Sequence, residues 1–241
     1  MRPRRKKPKF NWTPVLIAAL VLNLGLGLFY SPLTAVTKAR VVGVKPDDMV
    51  GVRTVLKSIE GKPALQINGN NLSSLILYNT AFETATFEAN PFGRAVVTVT
   101  YRNPVGRLSG APGTYLAEDG TIYQSKEVLT GLPLIQISQA SQERDGTIVG
   151  RIPTSALAYL AQELPSIADG ENGTVMYADD GGLILVLGGA EIKLGQAVQL
   201  EAKLNSLRKL MDADPELLSK VLVLNLYAPE KPAARFRKPS N

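Results

Sequence analysis

The longest apolar segment of the chain covers residues 12–30, which are 19 residues without a charge. A helix of this length rises about 28 Å at about 1.5 Å per residue, close to the thickness of the hydrocarbon core of a bilayer. Aromatic residues lie at both ends of the segment, as is typical of a membrane–water interface. The pattern predicts a transmembrane helix over residues 12–30. Its predicted anchoring residues are Trp12, Leu16, Leu20, Leu24, Leu28 and Tyr30.

Two other interpretations of this segment fit it less well. A cleaved signal peptide has an apolar region of about 7–15 residues that ends at a pair of small residues. The uncharged segment here is longer, and the pairs Ala35/Thr37 and Thr37/Ala39 match such a site only in part. A buried core helix would usually show a polar face, which this segment lacks.

The charge distribution around the segment predicts its orientation. Six of the first ten residues are basic and none is acidic, whereas residues 31–37 carry no charge. By the positive-inside rule, the basic tail at 1–11 is expected in the cytoplasm and the rest of the chain on the other side of the membrane. Without those six residues the chain has 21 basic and 21 acidic side chains. A nucleic-acid-binding domain would carry a basic folded face, so no nucleic-acid partner is expected.

Beyond the apolar segment, the spacing of apolar residues predicts an α+β protein that begins with a β-α-α-β-β unit at residues 35–105. Val52, Val55, Leu56 and Ile59 recur at helical spacing, and "AVVTVTY" alternates as a strand does. The residues "NPFG" between the last two strands are typical of a tight turn. The predicted elements are a strand at 39–44, a helix at 46–59, a shorter helix capped by Asn70 or Asn71, and strands at 82–89 and 95–102.

Residues 106–228 predict a strand-rich β domain with two helices, and residues 229–241 an edge strand followed by a C-terminal tail. Asp119-Gly120, "DDGG" and Gly188-Gly189 are turn signals between apolar runs. The predicted strands lie on both sides of Asp119-Gly120 and at 132–137, 147–152, 174–177, 183–187, 191–194, 220–227 and 230–236. The predicted helices cover 154–164 and 196–211.

Composition excludes several classes of chemistry. The chain has no cysteine and no histidine, which removes disulfides, thiol nucleophiles, the commonest metal ligand and every catalytic triad that uses histidine. The carboxylate pair Asp47-Asp48 lies where a helix begins, and Asp179-Asp180 lies in a predicted hairpin turn, so structural roles are favoured for both. No catalytic residue, cofactor or metal is expected, and the chain is predicted not to be an enzyme.

The order of these features resembles the FtsQ/DivIB family of bacterial cell-division proteins. The residues that carry the resemblance are "FETATFEANPFGRAVVTVTYRNPVGRL" with its Arg102, Pro104 and Val105, "YLAEDGTIY…LTGLPLI", and "KLNSLRKLM…VLVLNLYAPEKPAARF". The β-α-α-β-β unit is similar to a POTRA domain. The resemblance covers nearly the whole chain and depends on the order and spacing of apolar patterns rather than on a single motif.

The resemblance implies a single-pass protein of the inner (plasma) membrane that is concentrated at the division septum. It also implies that the protein links early and late division components. Its partners would be small FtsB/FtsL-like coiled-coil membrane proteins and, through them, the septal peptidoglycan synthase complex. An exposed last strand can pair with a strand of a partner. The implied partner-binding residues are Val223, Asn225, Tyr227, Ala233, Ala234, Arg235 and Phe236.

Some residues depart from the family pattern, and other functions remain open. The family usually has Asp-Leu-Arg where this chain has Asn225-Leu226-Tyr227, and Pro232 lies just before the last strand. Residues 230–241 could instead form a disordered tail. A POTRA-containing secretion or assembly factor is the alternative function, but such a protein would carry several POTRA repeats or a barrel. A membrane-anchored cell-wall enzyme would need a nucleophile or an acid pair that the sequence does not offer.

Overall fold

Two β-sheets organise the chain, one with three described strands and one with nine. A computed structural model describes residues 12–138, 152–167 and 173–238. The chain divides into two units, Met1–Tyr101 and Arg102–Asn241, and each is described by itself below. The α+β class predicted from the sequence is confirmed.

The first unit contains the predicted β-α-α-β-β order after an N-terminal helix. Its elements are α1 (Thr13–Tyr30), β1 (Lys38–Val42), α2 (Pro46–Lys57), α3 (Gly69–Ile76), β2 (Phe82–Ala89) and β3 (Arg94–Tyr101), with short 3-10 turns at Pro32–Thr34 and Ala64–Gln66.

Helix α1 is apolar on all sides, and none of its residues is buried. It is 18 residues long with a mean hydropathy of 1.9, which makes it long and apolar enough to cross a membrane. Its one amide side chain, Asn23, donates to the carbonyl oxygen of Ala19 at 3.0 Å. The hydrogen bond gives this polar group a partner inside the helix, which lowers the cost of placing it in an apolar environment.

The last turn of α1 is hydrogen-bonded to later residues of the first unit. Carbonyl groups at the end of a helix lack partners within the helix and need donors from elsewhere. Thr34 Oγ1 donates to the carbonyl oxygen of Leu28 at 3.0 Å, and Gln66 Nε2 donates to that of Phe29 at 2.9 Å. Two of these carbonyl groups are therefore satisfied by residues of the first unit.

The three-stranded sheet has the order β1-β3-β2, with β1 parallel and β2 antiparallel to β3. Alternate residues of β3 face the helices, so Val97 and Val99 are buried while Thr98 is exposed. They pack with buried residues of α2, α3 and β2, namely Val52, Leu56, Leu72, Ile76, Phe82 and Ala85, and with Ile59, which follows α2. In the turn before β3, Gly93 has φ +73°, and a Cβ there would lie 2.2 Å from the carbonyl oxygen of Ala35.

One predicted detail of the helix starts was wrong, and one predicted helix-start residue has an additional role. Helix α3 is capped by Asn68, whose side chain accepts from the backbone N–H of Asn71 at 3.2 Å, so Asn70 and Asn71 lie inside the helix. Asp48 lies in the first turn of α2 but serves the tertiary structure as well. Its carboxylate accepts from Tyr101 Oη at 2.8 Å and from Asn79 Nδ2 at 3.1 Å.

The second unit consists of one mixed sheet and three described helices. Its strands are β4 (Pro104–Leu108), β5 (Thr114–Ala117), β6 (Ile122–Gln124), β7 (Leu134–Ile137), β8 (Thr174–Tyr177), β9 (Leu183–Leu187), β10 (Ala190–Gly195), β11 (Val221–Asn225) and β12 (Ala233–Phe236). Its helices are α4 (Thr154–Ile167), α5 (Leu200–Ala213) and α6 (Leu217–Lys220).

The strand order is β12-β11-β10-β9-β8-β7-β4-β5-β6. One face of this sheet packs on α4 and α5 and forms the core of the unit, with Leu185, Ile192 and Leu224 in one buried row across three strands. The helices are joined at their surface, because Arg208 Nη2 donates to Glu163 Oε2 at 2.5 Å and to Ser166 Oγ at 2.9 Å.

The helix bounds of this unit differ from the prediction in three places. Helix α5 begins at Leu200 instead of residue 196, because Gln199 has φ +54° and interrupts helical geometry. Helix α4 continues past Pro165 to Ile167, and the four-residue helix α6 was not predicted. The strand predicted at 147–152 lies outside the described residues except for Ile152, which is not in a strand.

Candidate partner-binding site

Strand β12 lies at one end of the strand order, so its outer side has no partner strand among the described residues. It pairs antiparallel with β11, which itself pairs in parallel with β10. All four residues of β12 are exposed. The predicted edge strand is therefore present in the structure, with bounds Ala233–Phe236.

Hydrogen bonds to backbone carbonyl groups hold the chain before and after β12. Arg237, which follows the strand, donates its backbone N–H to the carbonyl oxygen of Lys220 at 2.8 Å, and its Nε donates to that of Val221 at 3.2 Å. Before the strand, Ser206 Oγ of α5 donates to the carbonyl oxygen of Pro229 at 2.9 Å. The strand is thus attached to β11, and the segment that leads into it is attached to α5.

The Arg237 bond fixes which backbone groups of β12 face outward. The N–H and C=O groups of one residue point to the same side of a strand, and the side alternates from residue to residue. Because the backbone groups of Arg237 point toward β11, those of Arg235 and Ala233 point toward it too. The backbone N–H and C=O groups of Ala234 and Phe236 therefore point away from the sheet, toward the space that an added strand would occupy.

Side chains of β11 and β12 divide between the two faces of the sheet. Val223 lies opposite Arg235, and Asn225 lies opposite Ala233, on the face away from α4 and α5. On the other face Ala234 lies opposite the buried Leu224. The 220–227 run was predicted to be a buried strand, but Val223 and Asn225 are only half-buried.

A β-bulge places one further apolar residue at this edge. The register of β11 against β12 shifts between Val221 and Val223, so Leu222 is the extra residue, and it is 40% exposed. Sequence reasoning missed this position because a leucine in an apolar run is indistinguishable from a core residue. An irregularity in pairing is set by both strands together.

Two residues that depart from the family pattern, Asn225 and Tyr227, form a turn at the end of β11. The side-chain oxygen of Asn225 accepts from the backbone N–H of Tyr227 at 2.9 Å, a local turn that asparagine favours. The Tyr227 ring packs over Gly195, where φ is +68° and a Cβ would lie 2.8 Å from the ring. Tyr227 thus lies beyond the strand and on the β10 side, with 51% of its surface exposed.

The structure brings together most of the residues predicted for partner binding. Val223, Asn225, Ala233, Ala234 and Arg235 belong to two paired strands. Phe236 lies at the end of the same edge and is 62% exposed.

The surroundings of this edge are basic. Lys231, Arg235, Arg237 and Lys238 are all exposed. Lys220 is paired with Asp214 at 2.9 Å. A hydrogen bond from Lys220 lowers the pKa of the Asp214 carboxyl, and the same bond raises the pKa of Lys220.

This edge can bind a protein strand, because it combines outward backbone groups, small alanine side chains, an exposed phenylalanine and positive charge. Within the described ranges 12–138, 152–167 and 173–238, no group of three or more acidic side chains is placed to hold a metal ion.

The six residues predicted as a membrane anchor lie together in the first unit. Trp12 immediately precedes α1, and the other five lie within it. All six are exposed, from 46% at Leu28 to 66% at Leu16 and Tyr30. Exposure of large apolar side chains around a whole helix is unfavourable in water and suits a membrane.

Comparison with known proteins gives one informative relative. The chain is similar to cell division protein FtsQ of Mycobacteroides abscessus, with 26% identity over 209 residues. The matched region is 84% of this chain but only 66% of the relative, so the chain spans just under two thirds of that protein. No protein-family model matches the chain. The relative bears out the resemblance predicted from the sequence.

Proposed function

We propose that this chain, an FtsQ/DivIB-like protein, is a membrane-anchored cell-division protein that works by binding other proteins and has no enzymatic activity. The observation that carries the proposal is the edge strand β12, with its outward backbone groups and exposed side chains. Because the chain is similar to a cell division protein, we expect the partners of this edge to be division proteins.

In this proposal α1 crosses the inner membrane once. The basic residues 1–11 stay in the cytoplasm, and the residues that follow α1 lie on the other side. The apolar surface of α1 and the internal hydrogen bond of Asn23 support a spanning helix. The hydrogen bonds from Thr34 and Gln66 to the last turn of α1 would hold the first unit at the membrane surface. Residues 35–105 would act as a POTRA-like domain and residues 106–228 as the β domain.

The partner proposed for β12 is a small FtsB/FtsL-like coiled-coil membrane protein. An extended segment of that partner would add a strand beside β12 and pair with the backbone groups of Ala234 and Phe236. Phe236 and Leu222 would supply apolar contact, and Arg235 would favour an acidic partner segment. By this contact the chain would link early and late division components and act indirectly on the septal peptidoglycan synthase.

A fluorescent fusion of the full chain tests the proposal in dividing cells. The fusion is expected to collect at midcell and to co-purify with an FtsB/FtsL-like protein from solubilised membranes. A matched fusion truncated after Tyr227, which lacks β12, should remain in the membrane but lose the co-purifying protein. A uniform distribution of the full-length fusion around the envelope would contradict a role in division.

A further inference from the structure

A second free sheet edge lies in the first unit, at strand β1. In the order β1-β3-β2, only one side of β1 is paired among the described residues. The backbone N–H of Asn90 donates to the carbonyl oxygen of Arg94 at 2.9 Å. The backbone groups of Arg94 therefore point toward β2, and those of the next residue of β3, Ala95, point toward β1. In a parallel pair Ala95 bonds to the residues that flank its register partner, Ala39. The backbone groups of Ala39 and, by alternation, Val41 therefore point away from the sheet.

A groove runs along this edge, between β1 and α2. It has a volume of about 290 Å³, and Ala39 and Val41 line its β1 side. On α2 its wall includes Met49, Arg53 and Lys57, which are four residues apart and so share one face of the helix. An extended segment that paired with β1 would place every second side chain in this groove.

Basic side chains lie on both sides of the same edge. Lys38 and Arg40 alternate with the groove-lining residues of β1 and are exposed on the opposite face of the sheet. Arg53 and Lys57 line the groove itself, together with one carboxylate, Glu60. None of the four basic residues forms an ion pair within the part of the chain that the structure describes.

We propose that the edge of β1 and the adjoining groove form a second docking surface, which takes an extended acidic segment of a partner protein as an added strand. The chemistry of the segment follows from the alternation of its side chains. Apolar residues would enter the groove beside Val41 and Met49, and acidic residues on the other face would meet Lys38 and Arg40. The segment therefore alternates apolar and acidic residues and carries a net negative charge.

This surface is separate from β12, and it takes its occupant through backbone pairing as well as charge. Anionic lipid headgroups would also be attracted to these four basic residues, but they need no backbone N–H. A second copy of the chain could offer strand β2, whose Glu83 and Glu88 are exposed at the other edge of the same sheet. An experiment can distinguish binding of lipid, or of a second copy of the chain, from binding of a partner segment.

The test uses the full chain in nanodiscs of phosphatidylcholine and a labelled ten-residue peptide that alternates valine and glutamate. Fluorescence anisotropy should show saturable binding at neutral pH, and an alternating valine–lysine peptide should not bind. Ala39→Pro removes an outward N–H and should weaken binding of the acidic peptide at least tenfold. The double variant Lys38→Glu/Arg40→Glu should do the same, whereas Lys209→Glu, at an exposed lysine of α5, should leave the affinity unchanged.

Two further controls make the result decisive. Hydrogen exchange of the β3 amides should be unchanged in Ala39→Pro, which shows that the sheet is intact. Ala234→Pro, at the β12 edge, should leave peptide binding in place. Failure of the wild-type chain to bind the peptide, or equal binding by Ala39→Pro, would overturn the proposal. The proposal would also be overturned if the chain bound anionic vesicles but not the peptide. It would be overturned as well if the chain self-associated and the peptide did not reduce that self-association.

Discussion

The ammonium group of Lys203 donates a hydrogen bond to the carbonyl oxygen of Leu194 at 2.6 Å, although only 4% of the residue is exposed. A second bond reaches the carbonyl oxygen of Gln196 at 3.0 Å. Leu194 lies in β10, and Lys203 lies in the first turn of α5. The buried lysine therefore ties the start of α5 to the strand that runs beside β11.

Replacement of Lys203 by methionine is expected to destabilise the second unit by about 1–3 kcal/mol, because the buried carbonyl of Leu194 loses its donor. The measurement is urea unfolding of the full chain in detergent, followed by circular dichroism. Lys209→Met, at an exposed position of the same helix, is the matched control and should have little effect. Equal midpoints for the two variants would mean that the Lys203 bonds do not stabilise the unit.

The stabilising effect of Lys203 should also depend on pH. Burial lowers the pKa of Lys203 from its ordinary value of 10.5, so between the lowered pKa and 10.5 the unfolded chain binds more protons than the folded one. Stability then rises with pH across that window. The difference in unfolding free energy between the wild-type chain and Lys203→Met should widen as the pH approaches 10.5. A constant difference would show that the lysine has the same pKa in both states.

The core of the first unit should be sensitive at Val99 and tolerant next to it. Val99 is 4% exposed on the central strand β3, so Val99→Asp buries an unpaired charge and should cost several kcal/mol. Thr98→Asp, on the exposed face of the same strand, is the matched control. Hydrogen exchange of the full chain should show loss of protection in β1–β3 for Val99→Asp only. Equal protection in both variants would contradict the burial of Val99.

The anchoring role of α1 predicts resistance to extraction. The full chain should stay in the membrane pellet after alkaline treatment, because the apolar side chains of α1 are not buried against any described part of the chain. A charge at the centre of the helix, as in Leu20→Arg, should raise the cost of insertion by about 2.5–3.5 kcal/mol. Release of a soluble product that begins near Ala39 would instead identify a cleaved signal peptide.

At the β12 edge, the exposed ring of Phe236 should contribute strongly to partner affinity. Aromatic residues tend to dominate interface energies, so Phe236→Ala should weaken an FtsB/FtsL-like partner by about 2 kcal/mol, or about thirtyfold. Phe92→Ala removes another exposed ring, in the turn between β2 and β3, and should have no effect. The measurement is titration of the partner against the full chain in nanodiscs. Equal affinities for the two variants would place the contact elsewhere.

Much of the fold follows from local patterns in the sequence. The bounds of β2, β8 and β9 agree with the prediction, because alternation and flanking turn residues are local signals. The uncharged stretch before Ser31 likewise predicts α1 within one residue. The edge position of β12 was also expected, from the resemblance.

Other features depend on contacts that are distant in sequence. Gln196–Gln199 reads as helix, yet the bonds from Lys203 to Leu194 and Gln196 draw this segment into a loop with Gln199 at φ +54°. The exposure of Leu222 results from a bulge that exists only when β11 pairs with β12. The outward direction of the Ala234 backbone follows from a hydrogen bond between Arg237 and Lys220, which no sequence pattern contains.

The affinity of Ala234→Pro for an FtsB/FtsL-like partner tests the central claim most directly. Proline at 234 removes an outward N–H and leaves the bonds to β11 in place, since an edge strand tolerates proline there. The account predicts at least a tenfold loss of affinity with an unchanged unfolding midpoint. Arg235→Pro, one residue away, removes an inward N–H and should instead detach β12 and lower the midpoint. Unchanged affinity for Ala234→Pro would contradict the claim that partners bind by adding a strand to β12.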